Sequence, residues 1–200
     1  MTDIDAAVGA LDCGEVIVLP TETVYGLAAR ADLEEAVGKI FELKGRSRDQ
    51  VLQILLPDAT SLASWAGPND AASDLAARFW PGPLTLVVAA RASVPSFLTA
   101  AGTVGLRVPS HRVALDVLER SGPLAATSAN VAGEQPLADV THLRATFGDR
   151  VSVYIDVGRI EGDASTVVDV TGADPVVLRE GAIAFADVTS ALSRVQFEPE

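Results

Sequence analysis

The sequence predicts a single α/β domain in which helices flank a twisted, mixed β-sheet. Short apolar and β-branched runs, which are typical of buried strands, alternate along the 200 residues with segments whose apolar residues have helical spacing. The alternation keeps no strict βαβ rhythm, so we expect a mixed sheet rather than a purely parallel one. We assign residues 1–200 to this one domain, with its core at about residues 8–185, and expect no extra C-terminal domain.

The predicted helices share apolar residues that recur every three or four positions, and they lie at residues 3–11, 32–43, 59–65, 70–80, 112–120, 139–147 and 186–194. In the second of these helices, Val37, Ile40 and Phe41 share one face, and Asp32 is placed to cap the first turn. Gly14 ends the first helix, because glycine readily adopts the left-handed conformation found at helix ends.

The predicted strands are short runs rich in Val, Ile and Leu, and they lie at residues 15–19, 51–56, 84–90, 104–108, 124–127, 151–157, 166–170 and 176–179. Pro20 stops the first strand, and we interpret residues 21–27 as the loop that follows it. Residues 80–83 read Trp-Pro-Gly-Pro, which is a rigid turn that leads into the third strand.

Charge and composition exclude several classes of protein. A net charge of −12 disfavours tight, direct binding of nucleic acid, which needs a basic face. The single cysteine, Cys13, permits no intramolecular disulfide, and we interpret it as a small buried residue of the first helix. The two histidines, His111 and His142, form no cluster with the spacing of a zinc site, so we expect no metal bound by the protein itself. The apolar runs are too short to cross a membrane and residues 1–10 lack the basic charge of a targeting segment, so we expect a cytoplasmic protein.

Two polar segments next to predicted secondary structure are candidate ligand sites. Residues 20–26, Pro-Thr-Glu-Thr-Val-Tyr-Gly, follow a buried strand, where loops often carry binding groups; the alternative is a turn whose threonines satisfy their own backbone. Residues 44–48, Lys-Gly-Arg-Ser-Arg, hold three basic residues within five positions, which suits a polyphosphate. The alternative there is a solvated basic helix end that the helix dipole favours.

Three further motifs place polar groups at strand ends. Arg107 lies in an otherwise apolar strand, so its charge needs either a bound carboxylate or a structural ion pair. Residues 127–130, Thr-Ser-Ala-Asn, can bind a phosphate or a nucleotide, or can simply form a side-chain-stabilised turn. Ser165 begins one strand and Arg179 ends another, and both are candidates for the same site.

The motifs follow one another in a set order along the chain. They read Pro-Thr-Glu-Thr-Val-Tyr-Gly-Leu, Lys-Gly-Arg, Trp-Pro-Gly-Pro-Leu-Thr, Gly-Leu-Arg-Val-Pro, Thr-Ser-Ala-Asn, Ser-Thr-Val-Val-Asp and Leu-Arg-x-Gly, from about Val16 to Gly181. This ordered set resembles the YrdC-like threonylcarbamoyl-AMP synthase family. The resemblance implies a twisted α/β sheet with a large concave cavity. It also implies a reaction that makes threonylcarbamoyl-AMP and pyrophosphate from L-threonine, bicarbonate and ATP, for the threonylcarbamoyl-adenosine modification of tRNA.

The resemblance further implies which residues form the site. The catalytic residues that hold the nucleotide phosphates are Lys44, Arg46, Ser128 and Asn130. The residues that also face ATP are Thr103 and Arg179, and those that surround threonine are Thr23, Arg107, Thr127 and Ser165. The resemblance places Arg107 on the threonine carboxylate and brings Mg²⁺ to the site with ATP, bound mainly through phosphate and water.

The sequence also departs from the family pattern. Ser47 and Val51 stand where the family usually has proline, which makes the loop after Arg46 more flexible. Leu55 replaces a histidine that many members carry, and with it a polar contact to threonine. Residues 131–132, Val-Ala, replace the usual segment before Gly133.

Two alternative functions and a set of partners are considered beside this interpretation. A non-catalytic nucleotide- or RNA-binding factor in ribosome or tRNA maturation would use the same cavity without turnover. The related carbamoyl-adenylating domains of hydrogenase-maturation proteins come with acylphosphatase and zinc-finger segments, which this sequence does not contain. The resemblance implies a threonylcarbamoyl-transferring enzyme complex as the partner, with tRNA contact that is weak or indirect and no membrane contact.

Overall fold

The computed structural model describes residues 3–45 and 52–193, which fold around one β-sheet. The strands of the described residues are β1 (Ile17–Pro20), β2 (Tyr25–Arg30), β3 (Gln53–Leu55), β4 (Leu84–Ala89), β5 (Thr103–Arg107), β6 (Leu124–Ser128), β7 (Val153–Tyr154), β8 (Thr166–Asp169) and β9 (Val176–Arg179). Their order in the sheet is β7-β1-β2-β6-β3-β5-β4-β8-β9. The pairs β7/β1, β3/β5 and β4/β8 are parallel and the others are antiparallel, so the predicted mixed sheet is confirmed.

Helices cover both faces of this sheet. They are α1 (Asp3–Asp12), α2 (Glu34–Lys44), α3 (Leu62–Trp65), α4 (Asp70–Phe79), α5 (Arg112–Ser121), α6 (Val140–Phe147) and α7 (Phe185–Ser193), with single 3₁₀ turns at Ala59–Ser61, Ser96–Leu98 and Gly148–Arg150. Within the part of the chain that the structure describes, no helix has both the length and the apolar character needed to span a membrane.

Alternating residues of the strands divide the core into two layers. On one face, residues such as Val18, Ile54 and Leu86 pack against α2, α4, α6 and α7. On the other face, Ile17 and Leu19 pack against α1 and α5 in a smaller core. Because α1 and α5 contact mainly β1, β2 and β7, they leave the second face of β3, β4, β5 and β8 uncovered, and this is where a site can form.

One strand lies where the sequence analysis placed a loop. Tyr25–Arg30 forms β2, which pairs with β1 as an antiparallel hairpin and with β6 on its other side. Gly26, Ala28 and Ala29 have weak β propensity, so the local sequence carries little strand signal. The pairing with two neighbouring strands stabilises this segment and overrides that propensity.

Two local predictions were wrong. Asp32 does not cap α2: its carboxylate accepts hydrogen bonds from Arg30 Nε at 2.9 Å and Nη2 at 2.7 Å, and Leu33 occupies the cap position without a side-chain bond. A nearby guanidinium is a stronger partner for a carboxylate than a backbone N–H. Cys13 is exposed rather than buried, because it follows the last residue of α1.

Candidate active site

A cavity of about 520 Å³ opens on the sheet face that α1 and α5 leave uncovered. Its floor contains small residues on neighbouring strands. Ala28 of β2 pairs with Ala126 of β6, and Gly105 of β5 lies on the other side of β3. Glycine and alanine rise little above a sheet, so the concave space exists because these positions carry almost no side chain. The neighbours of Gly26 leave little room for a side chain there, since an added Cβ would lie 3.2 Å from the carbonyl oxygen of Thr127.

The structure brings most of the sequence-predicted site residues to this cavity. Those that line it are Thr23, Thr103, Arg107, Thr127, Ser128, Ser165 and Arg179. Lys44 and Asn130 do not line it and are buried, Asn130 within the loop that follows β6 and Lys44 against that loop. Arg46 lies outside the described residues, as do Ser47 and Val51.

Lys44 fastens the loop that follows β6. Its Nζ donates to the carbonyl oxygen of Ser128 at 2.7 Å, to that of Asn130 at 2.9 Å and to Asn130 Oδ1 at 3.1 Å. Its own carbonyl accepts from the N–H of Ala132 at 3.0 Å. Lys44 is only 3% exposed, so it is not the solvated helix-end residue considered as an alternative. Its charge stabilises the carbonyl groups of the loop that carries Ser128.

Asn130 organises the same loop from its other side. Its Oδ1 accepts from Ser128 Oγ at 2.6 Å, and its Nδ2 donates to the carbonyl oxygens of Val131 at 2.8 Å and Glu134 at 2.7 Å. The side-chain-stabilised turn is therefore present. It orients the hydroxyl of Ser128 at the cavity wall, so the turn and a binding role for Ser128 are compatible.

The segment between β1 and β2 is a tight turn that directs Thr23 at the cavity. Thr21 Oγ1 donates to the carbonyl oxygen of Val24 at 2.6 Å and accepts from the N–H of Val24 at 3.2 Å. The hydroxyls of Thr21 and Thr23 lie 2.9 Å apart. Since Thr21 uses its proton on Val24, Thr23 must donate to Thr21, which fixes the orientation of the Thr23 side chain.

Arg107 is buried and held by three partners. Its Nε donates to the carbonyl oxygen of Gly82 at 3.1 Å, and its Nη2 donates to Glu22 Oε1 at 2.7 Å and to Thr23 Oγ1 at 3.1 Å. The structural ion pair considered for this arginine therefore exists, and its acid is Glu22. Arg107 still lines the cavity, so the pair positions its guanidinium there.

A chain of hydrogen bonds crosses the cavity floor from β9 to β3. Arg179 Nη2 donates to Ser165 Oγ at 3.1 Å, Ser165 Oγ lies 2.9 Å from Thr85 Oγ1, and Thr85 donates to Gln53 Oε1 at 3.0 Å. Arg179 also donates through Nε and Nη2 to the carbonyl oxygen of Ser165, at 3.1 and 2.8 Å. The chain joins β9, β4 and β3 through Ser165, the residue before β8, and holds these polar side chains in one layer.

Arg179 carries a positive charge that no carboxylate balances within residues 3–45 and 52–193, where all the hydrogen bonds of its side chain go to Ser165. Burial, and to a smaller extent the positive charge of Arg107, lowers the pKa of Arg179. Two guanidinium groups that repel each other in one cavity favour an anionic ligand, because a bound oxyanion would relieve the repulsion.

Three residues of the site were missed by the sequence analysis as binding candidates. Glu22 lies within the first motif, Gln53 lies between Leu52 and Ile54, and Thr85 lies within the apolar run of β4. A polar residue in an apolar strand is the signal that identified Arg107, and it applies equally to Gln53 and Thr85. Leu55, the residue at the substituted histidine position, also lines the cavity.

Known proteins share this sequence pattern and this fold. A family model named for Sua5, YciO and YrdC, with the description "Telomere recombination", matches residues 9–181. A protein of Mycobacterium tuberculosis named putative threonylcarbamoyl-AMP synthase is 42% identical over 192 residues, which cover 94% of this chain and 88% of that protein.

Solved structures agree with this match. The structure of Sua5 from Pyrococcus abyssi complexed with L-threonine superposes with a TM-score of 0.91 at 38% identity, and covers 96% of this chain and 58% of that one. The structure of YciO from E. coli superposes with a TM-score of 0.84 at 28% identity over 90% of both chains. The chain described here therefore belongs to the Sua5/YciO/YrdC family.

Proposed function

We propose that this chain is an L-threonylcarbamoyladenylate synthase, a nucleotidyltransferase that uses L-threonine, bicarbonate and ATP. The observation that carries the proposal is the cavity, in which Arg107 and Arg179 face one space lined by the hydroxyls of Thr23, Ser128 and Ser165. The names of the relatives support the same activity, since the P. abyssi protein is named threonylcarbamoyl-AMP synthase and the M. tuberculosis protein putative threonylcarbamoyl-AMP synthase.

The reaction needs groups that hold anions and stabilise charge, and the cavity supplies such groups. The threonine amine and bicarbonate form a carbamate with loss of water. A carbamate oxygen then attacks the α-phosphorus of ATP, and the bond to the bridging oxygen breaks as pyrophosphate leaves. Negative charge builds up on the α-phosphate and the leaving group, and fixed donors lower the barrier by stabilising it.

We assign the binding roles from the residues' positions and from the family resemblance. Arg107, Thr23, Thr127 and Ser165 would surround threonine, and Arg179, Thr103 and Ser128 would face the nucleotide. Lys44 and Asn130 would act through the loop they hold, because their polar groups are bonded to that loop. By the family resemblance, Arg46, which lies outside the described residues, would bind the phosphates.

Magnesium would enter as a complex with ATP. The cavity walls carry hydroxyls and guanidinium groups, and Glu22, the acid beside the cavity, is engaged by Arg107. The described residues contain no group of three His, Cys, Asp or Glu side chains that could hold a metal ion. The ion would therefore keep phosphate and water oxygens as its main ligands, as is usual for Mg²⁺ on nucleotides.

The product would serve the threonylcarbamoyl-adenosine modification of tRNA in the cytoplasm. We propose that a threonylcarbamoyl-transferring enzyme complex takes it from this protein. The net charge of −12 favours a weak or indirect contact with tRNA, which is itself a polyanion.

The test is pyrophosphate release by the purified protein with ATP, Mg²⁺ and bicarbonate, with and without L-threonine, together with mass detection of threonylcarbamoyl-AMP. We expect release that requires both threonine and bicarbonate, and a product of the expected mass. ATP binding without turnover, alone or with the partner complex, would instead support a non-catalytic nucleotide-binding factor.

A further inference from the structure

Gln53 places a polar side chain between two small residues of the cavity floor. On β3 it pairs with Gly105 of β5 on one side and with Ala126 of β6 on the other. Those neighbours offer only a hydrogen atom and a methyl group, so they leave the space around the Gln53 amide open. Gln53 is also partly exposed and lines the cavity, so a ligand on the floor would meet its amide.

The hydrogen-bond chain across the floor orients that amide. Arg179 can only donate, so Ser165 Oγ accepts from it. Because Thr85 gives its one proton to the amide oxygen of Gln53, Ser165 donates to Thr85 Oγ1. Thr85 then donates to Gln53 Oε1, which occupies the amide oxygen. Among the described residues, Gln53 Nε2 has no acceptor in the protein, so its N–H donors form the end of the chain.

The groups beside Gln53 follow an order that matches a small hydroxy amino acid. Leu55, two residues further along β3, lines the cavity and pairs with Arg107 of β5. Successive residues on one face of a strand lie about 7 Å apart. The Arg107 guanidinium, the Leu55 side chain and the Gln53 amide therefore follow one another over a distance that one bound amino acid, with the reach of these side chains, can span. Threonine offers a carboxylate, a methyl group and a hydroxyl group.

We infer that Gln53 Nε2 donates a hydrogen bond to the hydroxyl oxygen of L-threonine and that Gln53 thereby selects a β-hydroxy amino acid as substrate. The inference rests on the proposed function. Arg107 holds the carboxylate, Leu55 contacts the methyl group, and Thr85 positions the Gln53 amide by occupying its oxygen. Gln53 is then a specificity-determining residue, and the charge of Arg179 polarises its amide through the chain.

The test compares L-threonine with L-2-aminobutyrate, which has a hydrogen atom in place of the hydroxyl group. We measure kcat/KM for both amino acids in the wild-type protein and in Gln53→Met, which keeps the side-chain length and donates no hydrogen bond. We expect kcat/KM for threonine to fall about tenfold in the variant, and that for 2-aminobutyrate to stay unchanged. The ratio of the two values then falls about tenfold.

Two further variants separate recognition from a structural effect. Thr85→Val removes the donor that orients Gln53, so it should lower the same ratio by a smaller factor. It should add nothing further in the double variant with Gln53→Met, because both changes disrupt one interaction. Gln135→Met, which changes an exposed glutamine, is the matched control and should leave the ratio at the wild-type value.

Each outcome decides the inference. An unchanged ratio in Gln53→Met overturns it, and so does an equal loss of kcat/KM for both amino acids, which would show a structural role. If the wild-type protein makes no threonylcarbamoyl-AMP at all, the proposed function itself fails. An active wild-type protein with an unaffected variant rejects only the role of Gln53.

Discussion

The guanidinium of Arg107 and the carboxylate of Glu22 form a nearly buried ion pair beside the cavity. Nη2 lies 2.7 Å from Oε1, and the side chains are 2% and 20% exposed. The second carboxylate oxygen of Glu22 is buried and has no hydrogen-bond partner in the described residues. The pair joins the turn after β1 to the end of β5, so it holds two cavity walls in a fixed relation.

Glu22→Gln should destabilise the fold, because it leaves the charge of Arg107 buried without its counter-ion. Breaking a buried pair from one side costs about 3–5 kcal/mol, and the partial exposure of Glu22 reduces this to about 2–3 kcal/mol. Denaturant unfolding measures the change. Glu119→Gln, on an exposed position of α5, is the control and should change the free energy of unfolding by less than about 0.5 kcal/mol. Equal effects of the two variants would contradict the structural role of the pair.

Lys44→Met should lower both stability and turnover, because three oxygen atoms of the loop after β6 lose their shared donor. The Ser128 carbonyl oxygen still accepts from the N–H of Asn130, and Asn130 Oδ1 still accepts from Ser128 Oγ. The loss therefore falls mainly on the Asn130 carbonyl oxygen, and a buried acceptor left without a donor costs about 1–3 kcal/mol. Lys39→Met is the control on the same helix; its ammonium is half-exposed, so its loss should cost less than about 1 kcal/mol. Unfolding and pyrophosphate release are measured on both variants.

Arg46→Ala separates phosphate binding from the loop effect of Lys44. We expect it to abolish most pyrophosphate release, as the proposed phosphate role requires. Turnover at the wild-type rate in this variant would remove Arg46 from the proposed site.

Tyr25→Phe should reduce stability and change its dependence on alkaline pH. The phenol donates to the carbonyl oxygen of Gly158 at 2.7 Å and accepts from the N–H of Val157 at 3.1 Å, so its removal should cost about 1–2 kcal/mol. Burial raises the pKa of Tyr25, so the folded state favours the neutral phenol. This contribution is fully present below the unfolded pKa, about 10, and is lost as pH rises through the folded pKa.

The pH experiment follows from that sign. Wild-type stability should decline above about pH 10, and the decline should be shallower in Tyr25→Phe, which lacks the ionising group. Urea unfolding from about pH 7 to about pH 11, a range that spans the tyrosine pKa of about 10, measures the free energy of unfolding of both proteins. The same slope in both proteins above pH 10 would contradict the assignment.

Gly181→Ala should disturb the cavity through its backbone. An added Cβ would clash with the carbonyl oxygen of Ala164 and would lie 2.7 Å from the carbonyl carbon of Ser165, so the segment that leads into β8 and presents Ser165 must move. We expect a loss of at least about 2 kcal/mol in the free energy of unfolding. Gly172→Ala is the matched control, because its added Cβ would meet only Asp174, at 3.7 Å. Equal free energies of unfolding of the two variants would show that Gly181 and residues 164–165 do not approach this closely in solution.

Local patterns in the sequence predicted the α/β fold class, most strands and helices, and many of the residues that line the cavity. Apolar periodicity and turn residues are local properties, so they are visible without a structure. The hairpin strand β2 was not visible, because its glycine and alanine residues become a strand only between β1 and β6.

The contacts of the charged residues became known only from the folded chain. The sequence left Arg107 between a ligand and an ion pair, and the fold shows Glu22 as its partner from 85 positions away. It left Lys44 between a phosphate ligand and a solvated helix end, and the fold buries its ammonium against the loop after β6. Gln53 meets its polar partner Thr85, and through it Ser165 and Arg179, only in the folded sheet. Long-range pairings depend on how strands are ordered in the sheet, and that order follows from the packing of the whole chain rather than from any local pattern.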